Sequence, residues 1–193
     1  MANRSRPPPT PHIRQVQSAD LEPLKVFLGE LSPGSLYFRF GRPHVPLWSD
    51  QHWSELCQPD TTHTIGLVAT EVVAPGRYAV VGMARLITDA SRQNAEFSMV
   101  LADRKQHLGI GTQIMHALVV QAQRRALTTI YGDVLPTNHA MIRFCEGLGM
   151  EIVDCPDDAR VHRMVFHIQS PSRIVNRTIA AQASNPCTGM RAS

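Results

Sequence analysis

The sequence predicts an α/β protein, a mixed and mostly antiparallel sheet flanked by helices, in a single domain. Three observations predict it. Two long apolar runs, residues 64–73 and 78–87, flank a Pro75-Gly76 turn, and a third run at 95–101 follows closely, the pattern of an antiparallel meander. The third run passes through a glycine-bearing turn, residues 106–112, into a helical repeat in which Ile110, Ile114 and Leu118 share a face with Met115, Val119 and Ala122. Beyond that helix the pattern reads strand, helix, strand, strand. A chain of 193 residues is long enough for one domain with a substantial core.

Taken in order, residues 1–11 are polar and proline-rich and are expected to be disordered. Residues 12–16 alternate weakly and predict a first strand. Asp20 is placed to cap a helix reaching about Leu31, with Leu21, Leu24, Phe27, Leu28 and Leu31 at helical spacing. Ser32-Pro33 ends that helix and starts a short one, with proline at the favoured first position. Tyr37, Phe38 and Phe40 read as core aromatics on it. Residues 48–57 predict another helix, capped by Ser49 or Asp50. After the meander and the long helix, residues 128–135 predict a strand and 138–148 a helix closed by Gly149. Residues 151–154 and 161–168 complete the sheet. From residue 169 small and polar residues dominate without periodicity and a disordered tail is expected, so the folded domain spans residues 12–168.

The net charge of +3 resides in the ends: Arg4, Arg6, Arg173, Arg177 and Arg191 have no acid beside them, which leaves the body at −2. A near-neutral body offers no basic face for nucleic acid. Cys57, Cys145, Cys155 and Cys187 show neither a Cys-x-x-Cys nor a Cys/His spacing, so neither a metal nor a disulfide framework is expected. No apolar run approaches the roughly 18 residues of a membrane span, and no leader pattern is visible. A cytoplasmic protein, monomeric or homodimeric, is expected.

The informative stretch is Gln106-His107-Leu108-Gly109-Ile110-Gly111-Thr112. A glycine turn from a strand into a helix presents backbone N–H groups at the positive end of the helix dipole, a geometry suited to a phosphate or diphosphate. The pattern is neither a P-loop, which needs Lys-Ser/Thr after the second glycine, nor a dinucleotide fingerprint, which needs a third.

Gln106-x-x-Gly109-x-Gly111 after a strand resembles the acyl-CoA pyrophosphate loop of the GNAT N-acetyltransferase superfamily. A second match lies downstream, where Asn138-His139-Ala140-Met141 and Gly147-Leu148-Gly149-Met150 are similar to that family's cofactor-supporting segment. Residues 31–40 and Ala95-Glu96-Phe97 resemble the Pat-type protein lysine acetyltransferases. The resemblance covers about residues 12–168.

The resemblance implies a GNAT-like fold and direct transfer of an acetyl group from acetyl-CoA to an amine, with a protein lysine as one acceptor. A small-molecule amine, or a non-catalytic acyl-CoA-binding module, is the alternative. It places the diphosphate on the N–H groups of His107, Leu108, Gly109, Ile110, Gly111 and Thr112 beside Gln106. It places the pantetheine arm along Met99, Val100 and Leu101, with Asn138 on the opposite side. One N–H of that strand edge would stabilise the developing oxyanion. Glu96 matches the base of Pat-like enzymes, and burial in an apolar strand is expected to raise its pKa. Tyr37 and Arg39 are acceptor-side candidates. Many GNAT enzymes carry a tyrosine acid where this chain has Cys145, which leaves the general acid unassigned.

Overall fold

The computed structural model describes residues 11–156 and 158–168; the tails expected over residues 1–11 and 169–193 lie outside the described residues, but for Pro11. The chain runs β1 (His12–Gln15), a 3-10 turn (Ser18–Asp20), α1 (Leu21–Gly29), α2 (Pro33–Phe40), α3 (Asp50–Cys57), β2 (Thr64–Ala74) and β3 (Arg77–Thr88). It continues with β4 (Asn94–Leu101), a second 3-10 turn (Asp103–Lys105), α4 (Ile110–Arg124), β5 (Thr129–Val134), α5 (His139–Gly147), β6 (Glu151–Asp154) and β7 (His162–His167).

The strands form one seven-stranded sheet in the order β1-β2-β3-β4-β5-β7-β6. Every neighbouring pair is antiparallel except β4 and β5. The meander forms as predicted, with Ala74 opposite Arg77 across Pro75-Gly76, where Gly76 has φ +70°. α4 crosses between the two parallel strands. Its apolar stripe, Ile110, Ile114, Leu118 and Ala122, packs on Leu67, Leu86, Phe97 and Ile130 from one sheet face. The opposite face is covered by α1, α2 and α3, whose Leu24, Phe27, Leu36 and Leu56 pack on Val68, Met83 and Val100. Strand alternation assigns the faces: Phe97 and Met99 point to α4, whereas Glu96, Ser98 and Val100 point to the α1–α3 side.

The β4–β5 register extends only from Asn94 opposite Thr129 to Glu96 opposite Tyr131. Beyond that point the strands separate. The Phe97 ring occupies part of the wedge, and Gly132 makes room for it, since a Cβ there would lie 2.6 Å from the ring. The β5-facing edge of β4 from Phe97 to Leu101 is therefore left without a strand partner.

Two expectations change. Asp20 does not cap α1 with its side chain; it is fully buried and accepts from both Arg14 Nη atoms at 2.7 Å, from Tyr78 Oη at 2.7 Å and from the Gln17 N–H at 2.8 Å. Burial alone would push this carboxyl up, but the donors outweigh it and hold it below the usual range. The aromatics of α2 divide as well: Phe40 stacks edge-on against Trp48, while Tyr37 and Phe38 are 45% and 43% exposed rather than core. The helix periodicity could not show that Phe38 lines a cleft.

Candidate active site

A cleft of roughly 480 Å³ runs along the unpaired edge of β4, between α2 on one side and the N-termini of α4 and α5 on the other. Met99, Val100 and Leu101 form its floor; Gln106, His107, Gly109, Gly111 and Thr112 form one end, and Asn138 lines the far wall. These residues, predicted from separate stretches of sequence, are brought together.

The loop before α4 is shaped for an anion. Gly109 has φ +78° and His107 has φ +61°, left-handed conformations that turn the chain abruptly into the helix. The first backbone donor satisfied by the helix is Gln113 N–H, to Gly109 O at 3.2 Å. The N–H groups of His107, Leu108, Gly109, Ile110, Gly111 and Thr112 have no acceptor among the described residues. That run of orphan donors at a helix N-terminus fits a diphosphate. Leu108 is exposed and Ile110 is buried in the core, so both can contribute only their backbone. Asn138 caps α5, accepting from Met141 N–H at 3.2 Å, and lines the cleft at the same time.

α2 is fastened to this loop. Asp103, just past β4, accepts from Ser32 N–H at 2.9 Å, Ser32 Oγ at 2.7 Å and Ser35 Oγ at 2.7 Å. Burial opposes ionisation of Asp103, but these donors prevail and hold its carboxyl below the usual range. Gln106 Nε2 reaches Ser35 Oγ at 3.4 Å. Gln106 thus ties the loop to α2.

Glu96 stands where β4 and β5 separate, on the α1–α3 face and outside the lining of the cleft. It is exposed, not buried as its apolar strand suggested; the residues of this face that pack on the helices, Met83 and Val100 among them, lie further along the strands. Its strand neighbour Tyr131 is half-buried, with its hydroxyl pKa raised by burial and then by the Glu96 charge. Arg39 reaches the same region from α2 and lines the cleft; burial, and then the charge of Arg85, lower its pKa to about 10, while Glu96 acts in the other direction. Tyr37 does not line the cleft.

Cys145 is fully buried in the core against α4, and burial pushes its thiol up to about 12. It faces packing atoms, not the cleft, and does not replace the missing tyrosine. Sequence reasoning missed Ser32, Ser35, Phe38 and Phe144 as lining residues. The serines carried a signal, a Ser-x-x-Ser helix start.

A cleft with orphan backbone donors at one end and an unpaired strand edge along its floor fits a diphosphate joined to an extended amide-bearing arm. The profile of the Acetyltransferase (GNAT) family matches residues 34–150, and the chain belongs to that family, as an acetyl-CoA-dependent N-acetyltransferase. An acetyltransferase of Pseudomonas aeruginosa is 28% identical over 156 residues, covering 80% of this chain and 83% of that protein. The GNAT domain of Streptomyces lividans PAT superposes with a TM-score of 0.72 at 22% identity, over 81% of this chain and 90% of that one. Spermidine N-acetyltransferase of Vibrio cholerae, in complex with CoA and spermine, gives 0.63 at 17% identity, over 82% and 95%. Among the described residues no group of His, Cys, Asp or Glu is arranged to hold a metal, and no helix is long and apolar enough to cross a membrane.

Proposed function

We propose that the protein transfers the acetyl group directly from acetyl-CoA to a primary amine, with Glu96 as the base and a lysine side chain of a polypeptide as the acceptor. The observation that carries this reading is the place of Glu96, a carboxylate at the point where β4 and β5 separate, next to the unpaired edge. Acetyl-CoA supplies an acetyl thioester whose thiolate is a tolerable leaving group. The N–H groups of His107 to Thr112 hold its diphosphate, and Met99, Val100 and Leu101 bond its pantetheine arm. A backbone donor on the β4 edge polarises the acetyl carbonyl. Glu96, directly or through water, takes the proton that the ammonium must lose before it attacks. A C–N bond forms, the C–S bond breaks, and solvent protonates the departing thiolate, since Cys145 is turned into the core.

The exposure of Glu96 supports a large acceptor, because an open approach admits a side chain that is still attached to a polypeptide. Cys57, Cys145 and Cys155 are all free and buried, which suits the reducing cytoplasm.

The test is calorimetric titration of acetyl-CoA, followed by CoA-thiol release with lysine peptides and small amines. Glu96→Gln should bind acetyl-CoA with unchanged affinity and lose about 100-fold or more in kcat, the usual weight of a general base. Undiminished turnover in that variant would remove Glu96 from the mechanism, and binding without release from any acceptor would make the protein a sensing module.

A further inference from the structure

We infer that the acceptor carries a carboxylate close to its amine, held by Arg39 and Arg85 beside Glu96. The inference rests on the acetyltransferase reading above and names the acceptor chemistry of that same site.

Arg85 lies on β3 opposite Ser98, so Glu96, two residues along β4, is its diagonal neighbour on the same sheet face. Arg39 follows Leu36 by three residues on α2, hence one turn further along the same side of the helix. Leu36 is packed with Met83 and Val100, the residues preceding Arg85 and following Ser98 by two on that face. α2 therefore carries Arg39 over the Arg85–Ser98 pair. The two guanidiniums are near enough for the charge of Arg85 to act on Arg39.

Neither has a hydrogen-bond or ion-pair partner among the described residues. Three buried side-chain nitrogens lack a hydrogen-bond partner among the described residues: Arg39 Nε, Arg85 Nε and Arg125 Nη1. Arg125 still donates from its other terminal nitrogen to Thr61 O. Arg39 and Arg85 make no hydrogen bond or ion pair among those residues; Arg39 only stacks over Phe40, at 4.8 Å. The carboxylates that act on them, Glu96 on Arg39 and Glu55 on Arg85, do so from beyond ion-pair distance, and Glu55 is held on α3 by Gln51. Arg163 nearby shows the contrasting arrangement, fork to fork with Asp133 at 2.8 and 2.9 Å.

Partly buried, unpaired guanidiniums are costly alone and suited to a planar anion. A carboxylate entering with the acceptor would meet two cations that have no acceptor of their own among the described residues. The same positive field favours the neutral, nucleophilic form of the amine that attacks the thioester. It also disfavours polyamines, which would bring further cations against two arginines with a single carboxylate, Glu96, at the point of reaction.

The carboxylate can be an acidic residue flanking a lysine or an amino acid's own carboxylate, and the assay separates the two. CoA-thiol release is measured with lysine peptides carrying Asp or Asn beside the lysine, with free amino acids and their carboxamides, and with spermidine. Acid-bearing acceptors should exceed their amide partners about tenfold or more in kcat/KM, the equivalent of one charge-assisted contact. A gain confined to peptides assigns a flanking acid, and a gain confined to amino acids assigns their own carboxylate. Arg85→Gln should remove most of the difference between acid and amide, through KM, with Arg39 keeping the remainder, and Arg85→Lys should restore part of what is lost. Acetyl-CoA affinity by calorimetry should stay unchanged in both. Equal use of acid and amide by the unmodified protein, or preference for spermidine, overturns the inference while leaving the transferase reading intact. Failure to bind acetyl-CoA overturns both, and the calorimetry shows which has occurred.

Discussion

Gly109 shows how much of the proposed cofactor site rests on single backbone conformations. Its φ of +78° lies where an L side chain is strained, although a Cβ there would meet no atom within 4 Å. Gly109→Ala should therefore cost about 1–2 kcal/mol through backbone strain alone. Because that strain is relieved by rotating the orphan N–H groups, acetyl-CoA affinity measured by calorimetry should fall about tenfold. Cys145 makes the opposite case. Cys145→Ala removes a core atom and no reacting group, so thermal unfolding should shift down by a few degrees while kcat stays as it was. A collapse of kcat in that variant would restore the thiol as an acid.

At the scale of elements, the cleft depends on two local devices that set its walls. Asp103 fastens the start of α2 to the end of β4 through three hydrogen bonds, and it also places a negative charge at the helix N-terminus. Asp103→Ala should destabilise the fold by about 1–2 kcal/mol, as losing a helix-terminal anchor does. It should also raise the Kd for acetyl-CoA, because Ser32, Ser35 and Phe38 line the cleft from α2. Chemical denaturation and calorimetry read the two effects separately. The second device is Gly132, whose missing Cβ admits the Phe97 ring between the separating strands. Gly132→Ala forces that buried ring to move, an overpacking cost of about 1–3 kcal/mol in urea unfolding. An unchanged midpoint would show that the wedge adapts without strain.

For the molecule as a whole, Asp20 joins three elements, taking Arg14 from β1, Tyr78 from β3 and the Gln17 N–H ahead of the first 3-10 turn. Its folded-state pKa is lowered, so its stabilisation is complete above the ordinary carboxylate range and is lost as pH falls through the folded value. Urea unfolding measured from neutral pH into acid should lose stability over that window. Asp20→Asn should flatten the slope and cost about 3 kcal/mol at neutral pH, the low end for a broken buried pair because Arg14 stays partly exposed.

The strand and helix pattern of residues 12–168 was legible because apolar periodicity of two or near 3.6 is a local property, and the caps Ser32, Ser49 and Asn138 are local as well. The turn into α4 was legible for the same reason: two glycines and the start of a helix lie within seven residues. Sequence could not show that Glu96 is exposed, since alternation assigns a strand residue to a face without saying what covers it. Nor could it pair Arg39 with Arg85, or show Asp20 as an ion-pair hub rather than a cap, because those partners are distant in the chain. By itself the sequence determined the elements, the family and the glycine turn into α4, which depend on short-range spacing. Tertiary structure alone decided the separation of β4 from β5, the exposure of Glu96 and the two arginines left without a hydrogen-bond partner, because each is set by which surfaces meet when the sheet and its helices pack.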